Sequence, residues 1–202
     1  MVDGSYLSRP LKAGVRLIEL LVRKSLNVYE FTDDPDCILR IQLMPAPRSI
    51  DFGSVNITKG DPVLAIHVWN EHMPKLPKDG ATLEWGVRLR RLVIHSFEAV
   101  AQEIRTGGKY SKVRAIYGES TLFSFTDHTG GLHMMQRLGF TIVPYHSSCG
   151  KYGEFWANLF SWWLMWAYND VSLRSRDFWD MERTEAWCML DEFIQRYGKN
   201  VG

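Results

Sequence analysis

Gly60-Asp61-Pro62-Val63-Leu64-Ala65-Ile66-His67-Val68-Trp69-Asn70-Glu71-His72 is the stretch on which the reading of the chain turns. The Gly-Asp-Pro turn residues feed a short apolar run, and that run is bounded by polar and aromatic side chains. This predicts a strand over Val63–Trp69 that ends in a knot of polar and aromatic side chains. By two-residue alternation, His67, Trp69 and Glu71 share one face of the strand.

Working upstream, Cys37–Met44 predicts a strand closed by Pro45-Ala46-Pro47, and Ile50–Ile57 a weaker one. With Val63–Trp69 they make three short strands joined by turns, the pattern of an antiparallel meander. Residues 8–26 predict an amphipathic helix with Ser8 as cap and Pro10 in the first turn. Its apolar stripe is Leu11, Val15, Ile18, Leu21 and Val22, with Arg16, Glu19 and Arg23 on the solvated side.

Downstream, the period changes from two to 3.6. Trp85, Leu89, Leu92, Val93, Phe97, Val100 and Ile104 form one face of a helix that Gly107-Gly108 ends. Val113–Phe123 predicts a buried strand running out into Glu119-Ser120-Thr121, and Thr126–Gly131 a loop. Leu132–Leu138 predicts a short helix stopped by Gly139, and Phe140–Pro144 a strand. The fold class is α/β, with a mixed, mostly antiparallel sheet and flanking helices. Residues 1–150 are expected to form that domain, and 151–202 a helical extension packed on it.

The last third is rich in aromatics. Residues 155–168 (Phe-Trp-Ala-Asn-Leu-Phe-Ser-Trp-Trp-Leu-Met-Trp-Ala-Tyr) are apolar nearly all round. Three readings stand: a buried helix, a surface at a membrane interface or partner, and an aromatic-lined ligand groove. Glu182–Tyr197 is predicted as one amphipathic helix through Trp187, Leu190, Phe193, Ile194 and Tyr197.

Composition narrows the function. The chain has 24 basic and 23 acidic residues, a balance that offers no electrostatic footprint for nucleic acid. Cys37, Cys149 and Cys188 are odd in number and widely spaced, which argues against a disulfide framework and a cysteine-rich zinc site. No metal site is expected from the His and acid spacing. The N-terminal Met-Val-Asp-Gly-Ser-Tyr lacks a signal-peptide pattern, and no apolar run reaches the roughly 18 residues of a membrane span. The expected location is the cytoplasm, with peripheral contact at the inner membrane.

Two polar groups sit where α/β folds place ligands, at strand ends. One is His67, Trp69 and Asn70 with Glu71 and His72; a histidine oriented by a carboxylate is a general-base arrangement. The other is Glu119-Ser120-Thr121 with Asp127 and His128. Ser120, His128 and Asp127 have the residue types of a hydrolytic triad but no GxSxG elbow. The resulting expectation is a cleft with His67, Glu119 and Ser120 as catalytic residues. Trp69, Asn70, Asp127, His128, Trp162 and Trp166 are the expected substrate contacts.

Arg137-Leu138-Gly139-Phe140 followed by a strand resembles the last part of GNAT-type N-acetyltransferases. The order strand 62–70, helix 81–106, strand 113–123, helix 131–138 and strand 140–144 looks like that fold's core. The resemblance implies acyl-CoA as cofactor. The family's Gln/Arg-x-x-Gly-x-Gly/Ala loop is replaced by Lys78-Asp79-Gly80-Ala81-Thr82-Leu83-Glu84-Trp85-Gly86, and Met135 stands at the usual general-acid tyrosine.

A second resemblance spans roughly residues 36–160. Gly60-Asp61, His67-x-Trp69-Asn70, the Ala115–Leu122 segment and Arg137-Leu138-Gly139-Phe140 are, in order and spacing, similar to the YkoP-like domain. That domain occurs alone or beside polysaccharide deacetylases. The resemblance implies work on envelope polysaccharide or lipid, through a divergent acyltransferase-like activity on a small or lipid-linked substrate. The alternative is a non-catalytic module docking on a membrane enzyme or lipid surface through residues 155–168.

Overall fold

The computed structural model describes residues 5–53, 56–121, 131–147, 149–174 and 176–198. Helix α1 (Ser5–Ser25) is followed by strands β1 (Leu39–Pro45), β2 (Ile50–Asp51), β3 (Asn56–Ile57) and β4 (Pro62–Val68). Helix α2 (Leu83–Thr106) leads to β5 (Ala115–Ser120), α3 (Gly131–Arg137), β6 (Thr141–Pro144), α4 (Gly150–Tyr168), β7 (Thr184–Met189) and α5 (Leu190–Tyr197).

Five strands form one sheet in the order β1-β4-β5-β7-β6. Strands β4 and β5 are parallel and every other neighbouring pair is antiparallel. A parallel pair needs a long crossover, and α2 supplies it. Thr82 caps that helix by accepting from Trp85 N, and the Gly107 N–H closes its last turn on Glu103 O. The mixed α/β class and the mostly antiparallel sheet agree with the sequence reading.

Strand alternation puts two cores on opposite faces of the sheet. On one face Leu64, Ile116, Ala186 and Cys188 meet α2, α3 and α5. Phe97 is central there, with ring centroids 5.2 Å from Phe140, 5.6 Å from Phe193 and 5.1 Å from Tyr197. The Arg-Leu-Gly-Phe segment explains itself here. Gly139 takes φ 93° to end α3, and the turn buries both Leu138 and Phe140 in this core. On the other face Val63, Ala65, Ala115, Tyr117 and Trp187 meet Ile57 from β3.

Three expectations are corrected. The single helix over Glu182–Tyr197 is a strand followed by a helix. Strand β7 lies between β5 and β6, so Thr184–Met189 belongs to the sheet and not to a helical extension. The helical stripe was misread because Trp187 falls three residues before Leu190. In fact Trp187 packs on Tyr117, 4.5 Å between ring centroids, across the sheet from Phe193. The meander is also different: β1 pairs directly with β4, and β2 with β3 makes a separate two-stranded sheet. Finally, α1 turns its charged side inward and most of its apolar stripe outward, with Leu11, Ile18 and Leu21 all exposed.

Helix α4 is neither fully buried nor fully exposed. Among its described residues only Ala167 is buried outright, while Tyr152, Phe155, Trp156 and Trp163 are exposed.

Candidate functional site

Parallel pairing of β4 and β5 runs from Val63↔Ala115 to Ile66↔Gly118. Both strands go on for two more residues without it. β4 stays with β1 as far as Val68↔Leu39, and β5 stays with β7 as far as Ser120↔Thr184. The strands part, and open α/β sheets take ligands at such a divergence. Gly118 permits the tight last pair, since a Cβ there would lie 3.1 Å from Ile66 Cγ1.

Above this divergence, on the face away from α2, is a cavity of about 440 Å³. Its floor is built by alternation: Gln42 from β1, Ala65 and His67 from β4, Tyr117 and Glu119 from β5. Its walls come from α1 (Glu19, Val22, Arg23) and α4 (Phe160, Leu164, Met165, Tyr168). Apolar walls with a few convergent polar groups are the usual character of a small-molecule site of this size.

The polar groups are held in defined positions. His67 Nε2 donates to Gln42 Oε1 at 2.9 Å. Burial, with a smaller contribution from the nearby Arg40 charge, pulls its pKa down to about 4. Tyr117 donates its hydroxyl to Glu119, whose other oxygen lies 3.6 Å from Arg183. Burial raises the Glu119 carboxyl above its ordinary value and the neighbouring Glu185 adds to the rise, while the Tyr117 hydrogen bond and Arg183 oppose it. Arg183 is in turn fixed by Ala157 O and Ser161 Oγ, both at 2.7 Å.

Beside the cavity lies a buried ionic cluster. Arg40 is 1% exposed, and its guanidinium reaches Glu30 at 3.1 Å, Glu71 at 3.0 Å and Glu19 at 3.5 Å. Glu19 also accepts from Asn70 Nδ2 at 3.1 Å and from the Tyr168 hydroxyl at 2.5 Å. One carboxylate thus ties α1, β1, the end of β4 and α4 together.

The expected site residues fall into three groups. His67, Asn70, Glu119 and Ser120 all line the cavity. Trp69 does not; it is buried, stacked on His72 at 3.7 Å with Arg40 4.9 Å above it. Trp162 packs on Phe178 and Trp166 lies under Lys12, so α4 lines the cavity with other residues. Asp127 and His128 lie outside the described residues. The expected His67–Glu71 pairing is absent because Glu71 turns to Arg40. Gln42, Tyr117, Arg183 and Arg40 were missed. The signal for two of them was Arg40 and Gln42 alternating with Leu39, Ile41 and Leu43 in an otherwise apolar strand. Among the described residues, no three His, Cys, Asp or Glu side chains gather as metal ligands, and no helix is long and apolar enough to cross a membrane.

A pH consequence follows for His67. Its folded pKa lies below the unfolded value near 6.5, so the unfolded chain binds the extra proton first. Stability is therefore complete above about pH 6.5 and falls between there and about pH 4, by roughly 3 kcal/mol at most. Urea unfolding across that range should show the fall, and His67→Gln should flatten it.

The YkoP domain matches residues 47–197, about three-quarters of the chain. The match includes His67, Asn70, Tyr117, Glu119, Ser120 and Arg183, and extends through β7 and α5. It begins after α1 and β1, which bring Glu19, Arg40 and Gln42. No curated protein and no solved structure matches the chain. With three-quarters of its length matched, the chain belongs to the YkoP domain family.

Proposed function

We propose that this protein is a divergent acyl-transfer enzyme of cytoplasmic envelope polysaccharide or lipid metabolism, built on a sheet of GNAT-type topology. The observation that carries the proposal is the meeting of Glu119, Ser120 and His67 in one cavity where β4 and β5 diverge. The order β4-α2-β5-α3-β6 supports the topology.

In this reading an acceptor hydroxyl or amine lies against Glu119 and Ser120, and the acyl chain lies along Leu164 and Met165. The acceptor attacks the carbonyl of an acyl ester or thioester. Its new C–O or C–N bond replaces the bond to the carrier. Glu119 takes the acceptor's proton and returns it to the departing carrier oxygen or sulfur. A carboxylate made more basic by burial suits that work better than His67, whose ring is neutral and committed to Gln42. The base is therefore Glu119, and His67 becomes a positioning residue.

Coenzyme A fits the chain poorly. A pyrophosphate needs free amides and positive potential at a helix N-terminus. The first turn of α2 has the Thr82 hydroxyl on Trp85 N and carries the acid Glu84. The acyl donor is thus recognised by its acyl and polar portions, without a phosphate cradle. An octanoyl thioester of pantetheine should raise the melting temperature in a concentration-dependent way, and octanoyl-CoA no further. Absence of any shift with either compound would sink the reading.

The exposed rings of Phe155, Trp156 and Trp163 favour a second reading, a docking module that uses residues 155–168. It expects no shift with any small molecule, and loss of partner or vesicle binding in a Trp156→Ala/Trp163→Ala variant.

A further inference from the structure

The cavity has one wall that the apolar cores do not hold. Gln42, Ala65 and Tyr117 of its floor are buried, and α1 and α4 stand over them. Helix α4 is built in: Ala167 is buried, Asn158 donates to Met181 O at 3.0 Å, and Ala157 O accepts from Arg183 at 2.7 Å. Helix α1 is not. Neither apolar core includes a described side chain of α1, and among those described only Glu19 is buried.

What holds α1 down is polar. Lys12 pairs with Asp170 at 2.8 Å, Arg16 donates to Ala167 O at 3.1 Å, and Arg23 pairs with Glu30 at 2.7 Å. Glu19 accepts from Asn70 and Tyr168 and meets Arg40. Water can take over each of these contacts. With α1 lifted, Glu19 is solvated and Arg40 keeps Glu30 and Glu71, so no buried charge is left alone. An apolar underside would have to be drawn out of the core into water. Here Leu11, Leu17, Ile18 and Leu21 already face solvent, and lifting costs them nothing.

The chain also has a joint in the right place. Asn27 takes φ 55°, the left-handed residue that ends α1, with its N–H on Lys24 O and the Val28 N–H on Arg23 O. One residue further, Tyr29 exchanges both backbone hydrogen bonds with Ile41 of β1, at 3.0 and 3.1 Å. The chain is pinned to the sheet at Tyr29, so a swing of α1 falls on Asn27 and Val28.

We propose that α1 is a lid on the cavity, lifting about Asn27–Val28 to admit a ligand and settling back on α4. Elements with few buried apolar contacts are where proteins open locally. The lid serves any small molecule that fits the cavity, so it does not depend on the acyl-transfer reading. The test follows access to the floor in the absence of ligand. Ala65→Cys puts a thiol on the floor, Cys149→Ser removes the exposed native thiol, and Cys188, buried in the core across the sheet, reports wider opening. N-ethylmaleimide, read site by site by mass spectrometry, should modify position 65 at least about tenfold faster than Cys188. Adding Lys12→Ala/Arg16→Ala should speed position 65 by about fivefold and leave Cys188 unchanged, since two weak surface attachments are lost. Hydrogen exchange of the unmodified chain gives a second reading. An undocked helix of this length frays in water, so residues 15–24 should exchange at least about a hundredfold faster than residues 92–101 of α2. Modification of position 65 no faster than Cys188, or unmoved by Lys12→Ala/Arg16→Ala, overturns the proposal. So does exchange of α1 in step with α2.

Discussion

Replacing Arg40 with Met is expected to lower the unfolding free energy by about 3–5 kcal/mol, the largest loss for any single ionic side chain here. Arg40 is the only cation in contact with Glu19 and Glu71 among the described ion pairs, and it is almost fully buried. Its removal leaves Glu19 buried with only the Asn70 amide and Tyr168 hydroxyl to offset its charge. It also removes the cation from the Trp69 ring. The distinction is between making and breaking such a cluster: its net contribution is small, but an uncompensated buried charge is costly. For a chain of this size the melting temperature should fall by roughly 10 °C. Urea unfolding measures the loss directly, and a change below about 1 kcal/mol would show that the cluster behaves like a solvated surface network. Lys12–Asp170 and Arg114–Asp61 are surface pairs of that kind, and deleting either should cost under about 1 kcal/mol.

Glu119→Gln is expected to lower turnover by about 10²–10⁴-fold with little change in KM. Glutamine keeps the shape and an oxygen to accept the Tyr117 hydroxyl, and so preserves the floor of the cavity. It cannot take a proton. Stability should move the other way. Burial raises the folded pKa of Glu119 above its unfolded value, so its contribution is complete below the unfolded pKa and is lost as pH rises through the folded one. At neutral pH the amide should therefore be neutral or stabilising. Loss of activity together with an unchanged or raised melting temperature separates a catalytic role from a structural one. A variant that is both inactive and unstable would show that Glu119 serves the Arg183 contact instead.

The elements that repeat strongly within themselves were legible from the residues. The stripe from Trp85 to Ile104 predicts α2, and the Gly-Asp-Pro entry with its apolar run predicts β4. Thr184–Met189 was not legible, because a strand buried on both faces has no period of its own. Its Trp187 happened to continue the stripe of α5. The stripe on α1 was legible as a pattern but not in its direction. Periodicity shows that one face is apolar; only the partners of Lys12, Arg16, Glu19 and Arg23 show which way it points.

The candidate site was half legible for a similar reason. Polar residues at the ends of predicted strands led to His67, Asn70, Glu119 and Ser120, since strand ends are where parallel neighbours part. Gln42 lies in β1, expected in a meander and not directly beside β4, and Arg183 stands just before β7 in a stretch that reads as helix. Trp162 and Trp166 were chosen for ring chemistry, yet residues 161, 164, 165 and 168 face the cavity, one helical face away. Nor could sequence distinguish the two acid–base candidates. Burial depresses His67 and raises Glu119, and burial follows from the way α1 and α4 close over the sheet.

The most direct measurement is methionine-methyl NMR of the full chain during titration with octanoyl-pantetheine. Met44, Met73 and Met165 line the cavity, while Met135 is buried in the core on the opposite face of the sheet. Saturable shifts of the first three signals, with Met135 unmoved, are the predicted result. Saturation with Met44, Met73 and Met165 unmoved, or no saturation at all, would contradict an acyl-binding cavity at the divergence of β4 and β5.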